Sequence, residues 1–339
     1  MKRTVKILFA VAITLLVLVG SIAVGSVNLT PGQVAEILMA KLSGKSGTID
    51  PNLSAIVWGM RFPRAVLAFL TGAALSASGT VMQSILKNPL ASSYTLGVSS
   101  GASLCAALVM VTGVTFPLLG SLFTLPAAGF AGGLATVFLA LAFAARLDGK
   151  MENQTVILVG MVFSLFVNAI LTLITALSRE HLQQMVFWQM GGFTGRNWSH
   201  VAVMFPVLVI SMLVLQRFTP EMDIMSFGEE QAMSIGVDLK RIKLLLIGIA
   251  ALLTGTAVSL VGVIGFVDLI APHVVRRIFG SSHRLVLPLS ALFGGTFLML
   301  AELISRTVMA PTIIPVGAVT ALVGAPFFAL VFFRGRKLK

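Results

Sequence analysis

Four ionisable residues stand beside long apolar runs in this sequence: Asp268, His273, Glu302 and Arg306. Ionisable groups at membrane depth are costly and mark pathways, proton relays or ion pairs. Glu302 and Arg306 are spaced i, i+4, which places them on one helix face as a local pair. Asp268 follows Ile264-Gly265-Phe266-Val267 and reads as a solvated loop residue near the outer surface. His273, directly after Pro272, reads as a hydrogen-bonded packing residue. A lone histidine makes no metal site, and the single cysteine, Cys105, supports neither a metal nor a disulfide. No HExxH, nucleotide-binding P-loop or paired intramembrane carboxylate occurs, so no hydrolytic centre and no cofactor are expected.

The second informative spacing is polar: FGEEQAMSIGVDLKR, residues 227–241. Ser226 and Glu229 have capping-box spacing, Gly236 suits a helix stop, and Glu229 with Glu230 in the first turn complements the helix dipole, so a helix is expected over 227–235. Ala232, Met233 and Ile235 give it an apolar component. Two turns are marginal in water, where about 12–15 residues are needed. Something must hold this helix, either the chain's own cytoplasmic ends or another subunit.

The elements that would position these residues follow from composition. The 339 residues are 57% hydrophobic and 11% charged, with a mean hydropathy of +1.00. That balance belongs to an all-α polytopic membrane protein, because each crossing of a bilayer core needs roughly 20 apolar residues. About ten spans are expected, over 5–27, 64–86, 96–114, 121–145, 155–177, 201–215, 244–264, 265–279, 287–304 and 315–333, with short helical pieces in 29–62 and 179–200. The first run is too long for the apolar region of a signal peptide. Trp188 and Trp198 read as interfacial anchors. The net charge of +12 reads as orientation within lipid rather than as a nucleic-acid surface. Seventeen of the 24 Lys and Arg fall in the alternate connections that include both termini, which places both termini and 227–241 in the cytoplasm.

Residues 70–81, LTGAALSASGTV, align with 253–264, LTGTAVSLVGVI, and the same register pairs Pro89 with Pro272 and Gly97 with Gly280. Five spans separate the second span from the seventh, so the copies enter the membrane in opposite senses. Inverted repeats of this kind, with halves near 60–180 and 243–333, build transport pathways with helix interruptions at corresponding places. Asn88-Pro89-Leu90 and Ala271-Pro272-His273 are the expected interruptions. An ion-gradient-driven transporter with Asp268, His273 or Glu302 as its coupling group remains open alongside other transport classes.

Many ordered segments carry a family resemblance: Arg61-Phe62-Pro63-Arg64, Gly72-Ala73-Ala74-Leu75, Asn88-Pro89-Leu90-Ala91, Gly228-Glu229-Glu230-Gln231-Ala232 with Gly236, Pro272-His273 with Arg276, His283-Arg284, and Pro315-Val316-Gly317 through Gly324-Ala325-Pro326-Phe327. From about residue 58 onward the chain resembles permeases of the iron-siderophore, haem and vitamin B12 branch of type II ABC importers. The resemblance implies ten spans, a second permease copy in a homodimer, an ATP-binding subunit under each permease and an extracytoplasmic solute-binding protein, in a bacterial or archaeal cytoplasmic membrane. It implies that 220–241 is the coupling loop, with Glu229, Glu230, Ala232 and Gly236 docking the ATPase. Arg61, Arg64 and Arg306 would line the outer face and dock the binding protein, and Asn88, Pro89 and Leu90 would lie at the cytoplasmic gate. Three features depart from the family pattern: Asp268 stands where glycine is usual, Glu302 replaces an aspartate, and Gly191-Gly192-Phe193 replaces Gly-Ser-Leu.

Overall fold

The computed structural model describes residues 3–25, 29–43, 50–118, 120–149, 151–234, 236 and 238–336. Their regular structure is helical. Each expected span corresponds to a helix: α1 (Arg3–Ala23), α4 (Phe62–Ile85), α5 (Val98–Thr112), α6 (Gly120–Leu147), α7 (Asn153–Leu177), α9 (Trp198–Arg217), α12 (Leu239–Val261), α13 (Val267–Phe279), α14 (His283–Thr307) and α15 (Val316–Arg336). Among the described residues seven helices are long and apolar enough to cross a bilayer, whereas α5, α13 and the apolar stretch Val316–Ala329 of α15 are shorter. Non-α backbone flanks α5 and α13, at 86–97, which includes a 3-10 turn at Ser93–Leu96, and at 262–266. Such backbone is tolerated at membrane depth only where protein satisfies its polar groups.

The expected short pieces are also present. α2 (Pro31–Leu42) opens on a capping box in which Thr30 and Gln33 satisfy each other's backbone N–H groups. α3 (Pro51–Ser54) runs through a π-helical turn, Ala55–Arg61, into α4. α8 is Leu182–Gln189, and α10 (Thr219–Phe227) and α11 (Glu229–Ser234) form the connection at the opposite end. Trp198 donates its indole N–H to the Trp58 carbonyl at 2.8 Å and packs edge-on against Phe62.

α4 is the central helix, with 19 of its 24 residues buried. Lipid offers apolar side chains no hydrophobic penalty, so close packing of small residues is what draws helices together there. An ideal Cβ on Gly72 would lie 2.2 Å from the Gly294 carbonyl oxygen, and one on Gly79 would lie 2.0 Å from the Asp268 carbonyl oxygen. Backbone-to-backbone approach thus fixes α14 and α13 against α4.

Candidate functional site

Three regions hold the residues singled out by the sequence. The first is the α10–α11 connection. Here the structure corrects the expected cap: Ser226 lies in the last turn of α10 and donates to the Asp223 carbonyl at 2.6 Å, so it does not open the next helix. The chain breaks at Gly228, and α11 begins at Glu229. Gly236 ends the segment as expected, with φ +90° and its N–H on the Met233 carbonyl at 2.9 Å. Ala232 is fully buried, while Phe227 and Met233 are exposed. The side chains of Glu229 and Glu230, and all of Ile235, lie outside the described residues.

α10 is fastened to the membrane helices through Asp223. Its carboxylate accepts from the His283 backbone N–H at 2.9 Å and pairs with His283 Nδ1 at 2.5 Å, capping the start of α14. His283 Nε2 meets Ser84 Oγ on α4, and Arg276 on α13 donates to Ser84 Oγ at 3.2 Å and to Gln83 Oε1. A continuous polar chain therefore joins the α10–α11 connection to α4, α13 and α14.

The second region is the interruption after α4. Asn88 is half-buried and accepts the Leu90 N–H at 2.9 Å, a turn that leaves Pro89 and Leu90 exposed at the same end as α10. Its continuation is held inside the protein. Ser93 Oγ meets Ser78 Oγ at 2.6 Å, Ser78 also receives Thr254 Oγ1 at 2.8 Å, and the Tyr94 hydroxyl donates to the Ile264 carbonyl at 2.9 Å.

Two expectations about the second half change. Pro272 lies inside α13, so the interruption falls earlier, at 262–266, where Gly262 and Phe266 have φ of +80° and +69°. Proline is tolerated in α13 because its neighbour compensates: Pro272 has no N–H for the Asp268 carbonyl, and Gln83 Nε2 donates there instead, at 3.1 Å. Asp268 is not a solvated outer residue. It is buried against α4, and Ser92 Oγ donates to its carboxylate. The chain after α12 turns back into the protein, which the apolar run from 244 to 267 concealed. His273 is half-buried on the same helix.

The third region is the opposite end of the bundle. Glu302 is fully buried and holds Arg306 at 3.0 Å, the pair expected from its spacing, and Arg64 at 2.9 Å, a partner its spacing did not show. Arg306 also donates to the Val24 and Ser21 carbonyls, and Arg61 to those of Ile22 and Ala23 at 3.0 and 2.9 Å. These donors satisfy the last carbonyls of α1, which have no partner within the helix. The three arginines do cluster at one end, but they point inward, and Arg61 is buried.

The model of the FecCD transport family matches residues 13–334. The chain belongs to that family. It is 40% identical over 314 residues to YvrB of Bacillus subtilis, an uncharacterized ABC transporter permease protein, covering 92% of this chain and 89% of that one. It is 39% identical over 291 residues to the cobalamin import system permease BtuC of Halobacterium salinarum, covering 86% and 76%. The hemin transport permease HmuU of Yersinia pestis is 33% identical over 325 residues, with 95% of each chain covered. A solved inward-facing structure of a metal-chelate type ABC transporter superposes with a TM-score of 0.82 at 28% identity, over 97% of this chain and 99% of that one. The FecCD chain described here is thus a multi-pass permease subunit of a type II ABC importer.

Proposed function

We propose that this permease carries an iron chelate, haem or a cobalamin-like corrinoid inward, by alternating access driven by ATP hydrolysis in a partner subunit. The single observation that carries the reading is α11. It is a six-residue helix on the loop opposite the arginine cluster, too short to persist by itself, preceded by exposed Phe227, carrying exposed Met233, and tied through Asp223 on α10 to α14, α4 and α13. A partner that grips α11 can move three buried helices together. We assign ATPase docking to Glu229, Glu230, Ala232 and Gly236, and the cytoplasmic gate to Asn88, Pro89 and Leu90.

At the outer end we place the solute-binding protein over Arg61, Arg64 and Arg306, whose three positive charges exceed the one of Glu302 and favour acidic partner residues. Two copies related by a two-fold axis would enclose the pathway between them. The repeat halves near 60–180 and 243–333, the loop 220–241 and cytoplasmic termini complete the assignment. The names of the relatives support chelate cargo, among them permeases for cobalamin, hemin and Fe(3+)-citrate. They support an ATP-driven importer over the ion-gradient reading.

The test is gentle affinity purification from native membranes of the wild type and of Glu229→Lys with Glu230→Lys. The expected outcome is an ATP-hydrolysing subunit recovered one-to-one with the wild type and absent from the variant. Equal recovery with both would remove the docking assignment, and no ATPase with either would remove the energy source.

A further inference from the structure

An open cleft of about 530 Å³ lies at the outer end, and the ionisable residues in its wall are Arg64 and Arg196. Phe187 and Trp188 give the wall an aromatic side, and Gly191 with Gly192 a bare backbone side. Arg64 shares the Glu302 carboxylate with Arg306. Among the described residues Arg196 has no carboxylate partner; its Nη1 meets the ring nitrogen Nε2 of His200, at 3.3 Å. Burial pushes the Arg196 pKa down, as expected of a cation withdrawn from water without a counter-ion. A half-buried cation without a carboxylate partner on a concave surface calls for an anionic ligand.

We propose that this cleft is a receiving subsite for an anionic, oxygen-rich chelate, with Arg196 holding its charge and Phe187 and Trp188 covering its apolar part. The proposal rests on the importer reading and narrows its cargo to anionic chelates rather than uncharged corrinoids. The cleft is far larger than one acidic side chain and falls within the roughly 300–1,000 Å³ of small-molecule sites, which favours cargo over a residue of a docked protein. A planar guanidinium presents fixed N–H donors that suit carboxylate oxygens.

The test is equilibrium binding of radiolabelled ferric citrate to the full chain reconstituted alone in lipid nanodiscs, with cyanocobalamin, which has no net charge, as the comparison probe. Arg196→Gln should weaken ferric citrate binding about tenfold, Arg196→Lys should recover most of the affinity, and cyanocobalamin should not distinguish the variants. Phe187→Glu, at a side chain 60% exposed and outside the packed interior, should weaken ferric citrate similarly by charge repulsion without disturbing the fold. Equal ferric citrate affinity in the wild type and Arg196→Gln, or no saturable binding by the wild type, overturns the subsite. So does a loss confined to capture of the solute-binding protein, which would make Arg196 a protein-docking residue. Recovery of an ATPase from native membranes is scored separately, so failure of the importer reading is told apart from failure of the subsite.

Discussion

Glu302 shows how a single buried charge can be both costly and indispensable. With no exposed side-chain surface it is viable only because Arg64 and Arg306 neutralise it, and those arginines need it in turn. Glu302→Gln should therefore destabilise the fold by about 3–5 kcal/mol, read as a lower unfolding temperature in detergent, and Glu302→Asp, which keeps the charge, by clearly less. A loss as large for Asp as for Gln would mean that shape rather than charge is being read. Gln83 presents a more specific case. Removing its amide by Gln83→Leu leaves the Asp268 carbonyl, already deprived of a donor by Pro272, with nothing, at about 1–3 kcal/mol. In a Pro272→Ala background the helix regains its own N–H donor, so the same Gln83→Leu change should cost about 1 kcal/mol less; a strictly additive double-mutant cycle would refute this account of the tolerated proline.

At the scale of elements, contact between helix backbones organises the core. Gly72 lets α14 meet α4, and Gly79 lets α13 meet it. Gly79→Val would force apart two backbones that touch and should lower the yield of folded protein sharply, since overpacking costs about 1–3 kcal/mol even where neighbours can yield. Gly248, with nothing near its absent Cβ, should accept alanine silently. The comparison is read by size-exclusion profile and melting temperature. The aligned repeat gives the same glycine different tasks: Gly79 provides close approach in an unbroken helix, while its counterpart Gly262 ends α12 with φ +80°, where a Cβ would lie 2.2 Å from the Trp188 carbonyl oxygen. The break at 262–266 and the continuity of α13 through Pro272 were illegible because the run around them is uniformly apolar, and small apolar residues serve a span and a buried irregular segment equally well.

For the whole molecule, orientation is the property most directly open to experiment. In a Cys105→Ala background, Met309→Cys on the arginine end should react with a membrane-impermeant maleimide on intact cells, and Met233→Cys on α11 only after permeabilisation; both side chains are exposed, so burial does not confuse the result. The reverse pattern would invert the assigned topology and exchange the ends proposed for the two partners. The polar chain from Asp223 through His283 and Ser84 to Arg276 and Gln83 gives the molecule one mechanical connection across its inner half. Asp223→Asn keeps the shape but discards the charge, and should lower transport more than it lowers ATP hydrolysis by the purified complex. Equal loss of both would assign Asp223 to assembly alone.

The sequence alone determined the membrane class, the approximate spans, the Glu302–Arg306 pair and the glycine stop at Gly236, because all of these depend on hydropathy or on local spacing along a helix. Membership of the family was legible too, from ordered motifs spread over most of the chain. Only the tertiary structure decided that Arg64 shares Glu302, that Arg61 and Arg306 cap α1, that Asp268 is buried beside Ser92, and that Gln83 supplies the donor Pro272 lacks. Each joins residues distant in sequence, and a periodicity along one helix says which face is polar without saying which other helix that face will meet.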